Sequence, residues 1–491
     1  MRYTDTSKDS VGAISRIAAT TFFLLFCMNL FDYIDRYIYA SVLARVEGEF
    51  RIDNETAGWG ASVFLISYTL ISPLMGYASD RTRRTRLLGL GVGVWSLATV
   101  GTGLAGSFRH VLLARAFLGI GEATYGVIAP TLLMDLYARE RRSRVMSAFY
   151  LAMPIGAALG LVLGAKIAEL TGSWRAPFFL IGAPGFLVAL SAFWIPEPVR
   201  GTSEGLETDR LRAHERSRPT AADYQDMLVN SSYTYSVFGM AAYTFAIGGL
   251  SIWMPKFLTA TRGLSEVKAN TYLGAATAVA AILGMTLGGK LADAMSRTNP
   301  KALFIVPGLA MLIAIPFMAV GLLSSSLIWI YGGIFMAEFF MFMNTGPCNA
   351  IIANVTLPNM RGVAYAVAVF AIHFLGDIWS PVLIGKVADL YGDSDAMRTT
   401  IGRMLASIGA VPTIPTGESH RPENMAAGLL ITIPAVALSG IVLLAGARHI
   451  ERETALMLAR LKATTKNGGK ETVIEGGVAD LSPKTEPESK I

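Results

Sequence analysis

The sequence predicts an all-α membrane protein with twelve transmembrane helices in two pseudo-symmetric six-helix lobes. Three observations lead there. The chain is 53% hydrophobic and only 16% charged, whereas charged residues make up about 25% of a soluble globular protein. About twelve apolar segments reach the roughly 20 residues needed to cross a hydrocarbon core about 30 Å thick. Two motif pairs recur at nearly equal offsets: VLGAKIAELTG (162–172) with VLIGKVADLYG (382–392), 220 residues apart, and GYASD (76–80) with GKLAD (289–293), 213 apart. Repeats of this size in a twelve-span chain mark a two-lobed transporter.

The first apolar segment, 17–42, is too long and too charged for a cleaved leader and reads as a retained span. Segments 58–79, 86–106, 109–135, 144–168 and 177–195 complete a first lobe, 1–195. Residues 196–230 are polar and charged, as expected of a cytoplasmic linker. Segments 233–257, 271–293, 302–322, 327–352, 363–387 and 425–447 form a second lobe, 231–447. Residues 448–491 should be cytoplasmic, a short basic helix over 448–462 followed by a disordered tail. The loop at 391–424 is long and faces outward, and its sequence assigns it no role. Forty-nine glycines suit a bundle whose helices approach closely.

Arg81, Arg83, Arg84 and Arg86 lie between spans 2 and 3, and Arg139, Arg141, Arg142 and Arg144 between spans 4 and 5. The alternate loops are poorer in arginine, so the positive-inside rule puts both termini in the cytoplasm of a plasma membrane, the inner membrane in a prokaryote. The net charge of +6 therefore reports topology, not nucleic-acid binding. Cys27 and Cys348 both fall inside spans and read as packing residues. No nucleophile–base constellation, phosphate-cradling glycine loop or metal-ligand spacing is present, so neither catalytic residues nor a metal or cofactor is expected. A membrane-embedded lipid-modifying enzyme is the remote alternative.

The chemistry concentrates in buried charges. Arg115 and Glu122 in span 4 are 700° apart at 100° per residue, within about 20° of one face. A charge at the bilayer centre costs at least about 2.5–3.5 kcal/mol, so this pair points to a polar interior or to a pin between helices. In span 1, Asp32 and Arg36 are four apart and can pair, while Asp35 projects about 60° away. Asp35 or Glu122 could carry a coupling proton, with Asp32 a further candidate carboxylate. Arginine's planar fork suits phosphate or carboxylate, which makes Arg115 the candidate anchor for an anionic head group. Glu338 and Asn344 in span 10 either face the cavity or bond neighbouring helices. His373 and Asp377, at i and i+4, form either a structural pair or a proton relay. Tyr37, Tyr125, Phe245, Trp253 and Trp379 could supply an amphipathic or apolar lining, although aromatic residues in spans more often simply pack.

These residues also carry a family resemblance. GYASDRTRRTR (76–86) resembles the Gly-x-x-x-Asp-Arg-x-x-Arg-Arg loop of the major facilitator superfamily, and RAFLGIGEA (115–123) resembles its span-4 motif. Within it, residues 119–144, Asp35 with Arg36, and GGLSIWMPKFL (248–258) are similar to the spinster branch, implicated in moving lysophospholipids and sphingosine phosphate. The similarity is good over spans 1 to 8 and only general beyond. It implies the major facilitator fold and a rocker-switch carrier in which Asp35, Arg115 and Glu122 match positions tied to proton coupling and substrate binding. Asp80, Arg81 and Arg84 match the cytoplasmic gate, to which we also assign Asp135 and Asp293. The family more often has Asn where this chain has Asp32.

The expectation is a secondary active transporter, proton-coupled, moving a lysophospholipid or related amphipathic anion by alternating access. Its substrate-binding set is Arg36, Arg115, Glu122, Tyr125, Trp253 and Glu338. A proton-coupled drug or organic-anion carrier of the same superfamily is the alternative. The partners expected are the substrate, protons and membrane lipids, and the carrier is expected to be a monomer.

Overall fold

The computed structural model describes residues 6–137, 145–146, 148–197, 221–357, 360–413 and 422–467. The 139–144 arginines, most of 196–230 and the tail beyond 467 lie outside the described residues. Hydrocarbon offers the peptide unit no water, so each span must satisfy its own amides, which helices do. The first lobe holds α1 (Thr6–Ser41), α2 (Asn54–Arg81), α3 (Arg84–Gly103), α4 (Phe108–Leu136), α5 (Ala152–Thr171) and α6 (Ala176–Ser191). The second holds α7 (Ser231–Lys256), α8 (Glu266–Ser296), α9 (Ala302–Leu323), α10 (Leu327–Val355), α11 (Val363–Leu390) and α12 (Met425–Gly446). Among the described residues eleven helices are long and apolar enough to cross a membrane, and α3, with 20 residues, packs among them as the twelfth.

In the first lobe α4 packs on both α2 and α3, α1 on α5, and α3 on α6. The glycines of the span-4 motif make this possible. A Cβ on Gly119 would lie 2.4 Å from the Phe64 carbonyl oxygen of α2, and one on Gly121 would lie 2.6 Å from the Gly91 carbonyl oxygen of α3. Two positions on a helix differ by about 200°, so the pair opens opposite faces of α4 to close neighbours. In the second lobe α9 packs on α10 and α12, and α7 on α12. The lobes meet through α5 against α8 and α2 against α11, the related pairings that duplicated halves produce.

The start of α1 and the end of α12 lie at what we term the inner end of the bundle. The α2–α11 contact is close over Ser380–Leu390, toward the outer end, and sparse over Arg361–Leu375. Two helices are interrupted: α10 at Met343–Asn344, and α11 between Leu375 and Ser380. The second piece of α11 restarts with Pro381 in its first turn, where a missing N–H costs nothing. The outward loop carries helices Ser394–Met397 and Thr400–Ser407 and a bridge between Thr413 and Glu423. Beyond α12, the helix Ile450–Asn467 extends past the predicted 462. Glu453 on it accepts the N–H groups of Ser231 and Ser232 at 3.0 and 2.7 Å, capping α7.

Candidate functional site

Where α1 faces α4, Arg36 and Glu122 meet. Arg36 donates from Nη2 and Nε to Glu122 Oε2 at 2.6 and 3.2 Å, and its Nη2 lies 3.6 Å from Asp32 Oδ2. Its guanidinium lies over the rings of Tyr33 and Phe64, 4.7 and 4.9 Å from their centroids. The predicted Asp32–Arg36 spacing therefore operates, with Glu122 as the closer partner. Asp35 points elsewhere, as its 60° offset requires: Thr99 Oγ1 of α3 donates to Asp35 Oδ2 at 3.1 Å. One oxygen on each of Asp32, Asp35 and Glu122 is buried with no hydrogen-bond partner among the described residues.

Arg115 is 1% exposed. Its Nε donates to the Gly60 carbonyl at 3.0 Å, and the guanidinium lies 4.8 and 5.0 Å from the ring centroids of Tyr39 and Phe64. Its Nη1 and Nη2 are buried without a partner among the described residues. A guanidinium held at one corner, with both terminal nitrogens free, is preset to accept a bidentate anion.

Arg36 and Arg115 line one cavity of about 140 Å³ between the lobes. Its walls are mostly apolar, with Phe64 and Leu65 from α2 and Ile247 and Ile252 from α7. Tyr37, Ser251 and Asp377 supply the remaining polarity. Asp377 joins His373, whose Nδ1 lies 2.9 and 3.0 Å from its two carboxylate oxygens. The His373 ring stands edge-on to Tyr68 of α2, with centroids 6.1 Å apart. The pair thus sits at the boundary between the lobes.

Four residues predicted to bind substrate do not line this cavity: Glu122 reaches it only through Arg36, and Tyr125, Trp253 and Glu338 lie apart. Tyr125 is 2% exposed, donates to the Leu25 carbonyl at 2.7 Å and stacks against Trp95 and Phe149, so it packs the first lobe. Trp253 donates to the Pro381 carbonyl at 2.8 Å and lies near Lys256 at the outer end. Glu338 of α10 is 5% exposed, and one of its carboxylate oxygens is buried with no partner among the described residues.

Two residues assigned to the gate, Arg84 and Asp135, meet within the first lobe. Arg84 is 3% exposed and donates to Asp135 Oδ2 at 2.6 Å and to Glu197 Oε1 at 2.9 Å. The physical reason is reach: Arg84 starts α3 beside the ends of α4 and α6. Arg81 is exposed over the Tyr77 ring, 3.5 Å from its centroid, and Asp293 is exposed near the end of α8. The Asp80 side chain lies outside the described residues. Burial raises the Glu197 carboxyl, but donors from Thr85 and Arg84 outweigh it and hold the group below its ordinary value.

Sequence reasoning missed a cluster at the outer end, where Lys256 bonds Glu47 and Glu423. The available signal was Lys256 itself, since a lysine inside an apolar span needs a partner.

Comparison with known proteins fits this geometry. Residues 25–381 match the Major Facilitator Superfamily. Protein spinster homolog 1 of Xenopus tropicalis is 32% identical over 394 residues, covering 77% of this chain and 74% of that protein. Protein spinster homolog 3 of Danio rerio is 33% identical over 378 residues, covering 74% and 75%. Among solved structures, a bacterial homolog to human lysosomal transporter, spinster, in an inward-facing and unoccupied conformation, superposes with a TM-score of 0.75 at 20% identity, over 89% of this chain and 98% of that one. A D-xylose-proton symporter superposes with a TM-score of 0.65 at 17% identity, over 86% and 96%. At these identities the two structures establish the shared fold.

Proposed function

The chain belongs to the spinster family of the major facilitator superfamily, whose members are transporters rather than enzymes, and from this we propose a proton-coupled carrier of a lysophospholipid or related amphipathic anion. The observation that carries the reading is Arg115, with two unpartnered guanidinium nitrogens in a cavity whose walls are largely aliphatic and aromatic. The anionic head group binds Arg115, with Arg36 beside it. The acyl tail lies along the Leu65 and Ile252 side, where each buried methylene contributes about 0.8 kcal/mol. A carrier of sugar acids would need a lining rich in Asn and Gln, and among the described residues none of either type lines this cavity.

Alternating access follows from the packing. The lobes are held together at the outer end and part toward the inner end, so the cavity is reached from the side of the chain termini. The arginine-rich loops make that side cytoplasmic. Asp35 and Glu122 hold the coupling proton, because each has a buried oxygen without a partner and each lies within one or two side chains of an arginine. One proton moving down 100 mV yields about 2.3 kcal/mol, enough for a gradient of roughly fiftyfold.

The test is reconstitution in proteoliposomes with labelled lysophosphatidylglycerol or lysophosphatidylethanolamine and an imposed pH gradient. Wild-type protein should relocate the unmodified lipid, and Arg115→Ala should remove transport while the variant still elutes as a folded monomer. Lipid-independent movement of small organic anions, with no lysolipid uptake, would overturn the lipid assignment in favour of an organic-anion carrier.

A further inference from the structure

Lys256 ends α7 at the outer end and is 6% exposed. An ammonium has three protons to donate. Lys256 places them on Glu47, on Asn54 Oδ1 at 2.5 Å and on Glu423 Oε2 at 2.7 Å. Glu47, on the short helix Leu43–Phe50, and Asn54 belong to the first lobe, whereas Lys256 and Glu423 belong to the second. A single cation therefore joins the two halves.

The network continues through Asn54. Its Nδ2 donates to Glu423 Oε2 at 2.9 Å and to Asp389 Oδ1 at 2.5 Å. Asp389 of α11 also accepts the backbone N–H groups of Asn54 and Glu55, at 3.3 and 2.8 Å. It thus caps the first turn of α2 from the opposite lobe, a favourable place for a carboxylate. Arg45 with Glu266, and Lys386 with Glu55, flank the cluster across the same boundary.

The charges do not balance. Glu47 and Glu423 share one lysine, Asp389 joins them only through Asn54, and Glu47 Oε1 and Glu423 Oε1 are buried with no partner among the described residues. Buried charge needs compensation. A proton on one of these orphaned oxygens removes the excess.

We propose that this cluster is a second protonation site, separate from the cavity, where a proton from the outer side locks the outer gate and its release allows the lobes to part. The groups facing Glu47 are Lys256 from α7, Glu423 from the segment before α12, Asp389 from α11 and Tyr39 from α1. Burial, opposed by Lys256 and reinforced by Glu423, pushes the Glu47 carboxyl up to about 7. Opening the gate hydrates Glu47 and returns it toward its ordinary value. The closed form then binds the proton more tightly, so falling pH favours closure. One such group changes the closed-to-open ratio by at most tenfold per pH unit between about pH 7 and about pH 4.5. This mechanism holds whatever the cargo is.

The test measures the gate directly, so it does not depend on the transport assignment. Spin labels go on the exposed outer loops of the two lobes through Gly106→Cys and Ser325→Cys, in a Cys27→Ala, Cys348→Ala background of the full chain in lipid nanodiscs. Pulsed electron–electron double resonance then gives the inter-lobe distance from pH 5 to pH 8. The short-distance population should grow as pH falls through about 7. Glu47→Gln should hold the gate short at every pH, and Lys256→Met should lengthen the distance at pH 8. Glu423→Gln, which removes the charge of the other carboxylate bonded to Lys256, is read in parallel in case Glu47→Gln fails to fold. A wild-type distance that ignores pH would overturn the proposal, as would a full wild-type pH response in both glutamine variants.

Discussion

Arg36 Nη2 lies 2.6 Å from Glu122 Oε2, while Arg115, on the same helix as Glu122, bonds the Gly60 carbonyl instead. The two arginines therefore do different work. Arg36 compensates buried carboxylates, and Arg115 keeps its terminal nitrogens free. A cation whose charge is already matched is a poor anchor for an incoming anion, and this is what separates the two.

The Arg36–Glu122 pair should behave as a buried ion pair. Glu122→Ala leaves Arg36 uncompensated and should cost about 3–5 kcal/mol of stability, whereas the double variant Arg36→Met, Glu122→Met should recover most of it. Thermal unfolding in detergent measures this. Recovery of stability without recovery of transport would assign the pair a role beyond packing, and equal losses in the single and double variants would refute the coupling.

Asp35 should matter for coupling more than for binding. Asp35→Asn keeps the bond from Thr99 but cannot exchange a proton. Uptake driven by a pH gradient should fall at least tenfold, while lipid exchange at equal pH on both sides continues. If both activities fall together, Asp35 is needed for the fold or for the substrate rather than for the proton.

Part of the site was legible because its determinants are local in sequence. Asp32 and Arg36 stand four apart on one helix, and Arg115 and Glu122 share a face of another, so helical periodicity places each pair, while the packing of α1 on α4 brings Arg36 to Glu122. The outer cluster was not legible in that way. Lys256 is 209 residues from Glu47 and 167 from Glu423, and one partner lies in a loop whose sequence carries no pattern. Only the packing of α2 on α11 brings them together. Tyr125 and Trp253 failed as predicted lining residues because periodicity places an aromatic on a face but cannot say which neighbour covers it. Glu197 went unnoticed because its stretch reads as linker, although it closes the first lobe through Arg84.

The helix after α12 should contribute to stability despite its exposed position. Glu453 is 8% exposed and accepts two of the N–H groups that open α7. Replacing a cap of this kind costs about 0.5–2 kcal/mol. Glu453→Ala should lower the unfolding temperature in detergent, and truncation of the chain at residue 449 should lower it at least as far. An unchanged temperature in both would mean that water caps α7 equally well.

Glu197 gives the inner end of the first lobe a distinct pH dependence. It accepts from Arg84 Nε at 2.9 Å, from the Thr85 N–H at 3.0 Å and from the Thr85 hydroxyl at 3.1 Å. These donors favour the ionised form, and its folded-state pKa is lowered even though burial works the other way. A carboxyl depressed in the folded state binds its proton more tightly when unfolded. The stability it provides is therefore complete above the ordinary glutamate value of about 4.3 and is lost as pH falls through the lower folded value. Glu197→Gln removes the titration and weakens the bonds, which should cost about 1–2 kcal/mol at pH 7. The gap in unfolding temperature between wild type and variant should narrow as pH falls below about 4.3 and close only below the depressed folded value. A gap that persists undiminished at the acid end would place the effect of Glu197 in its shape rather than its charge.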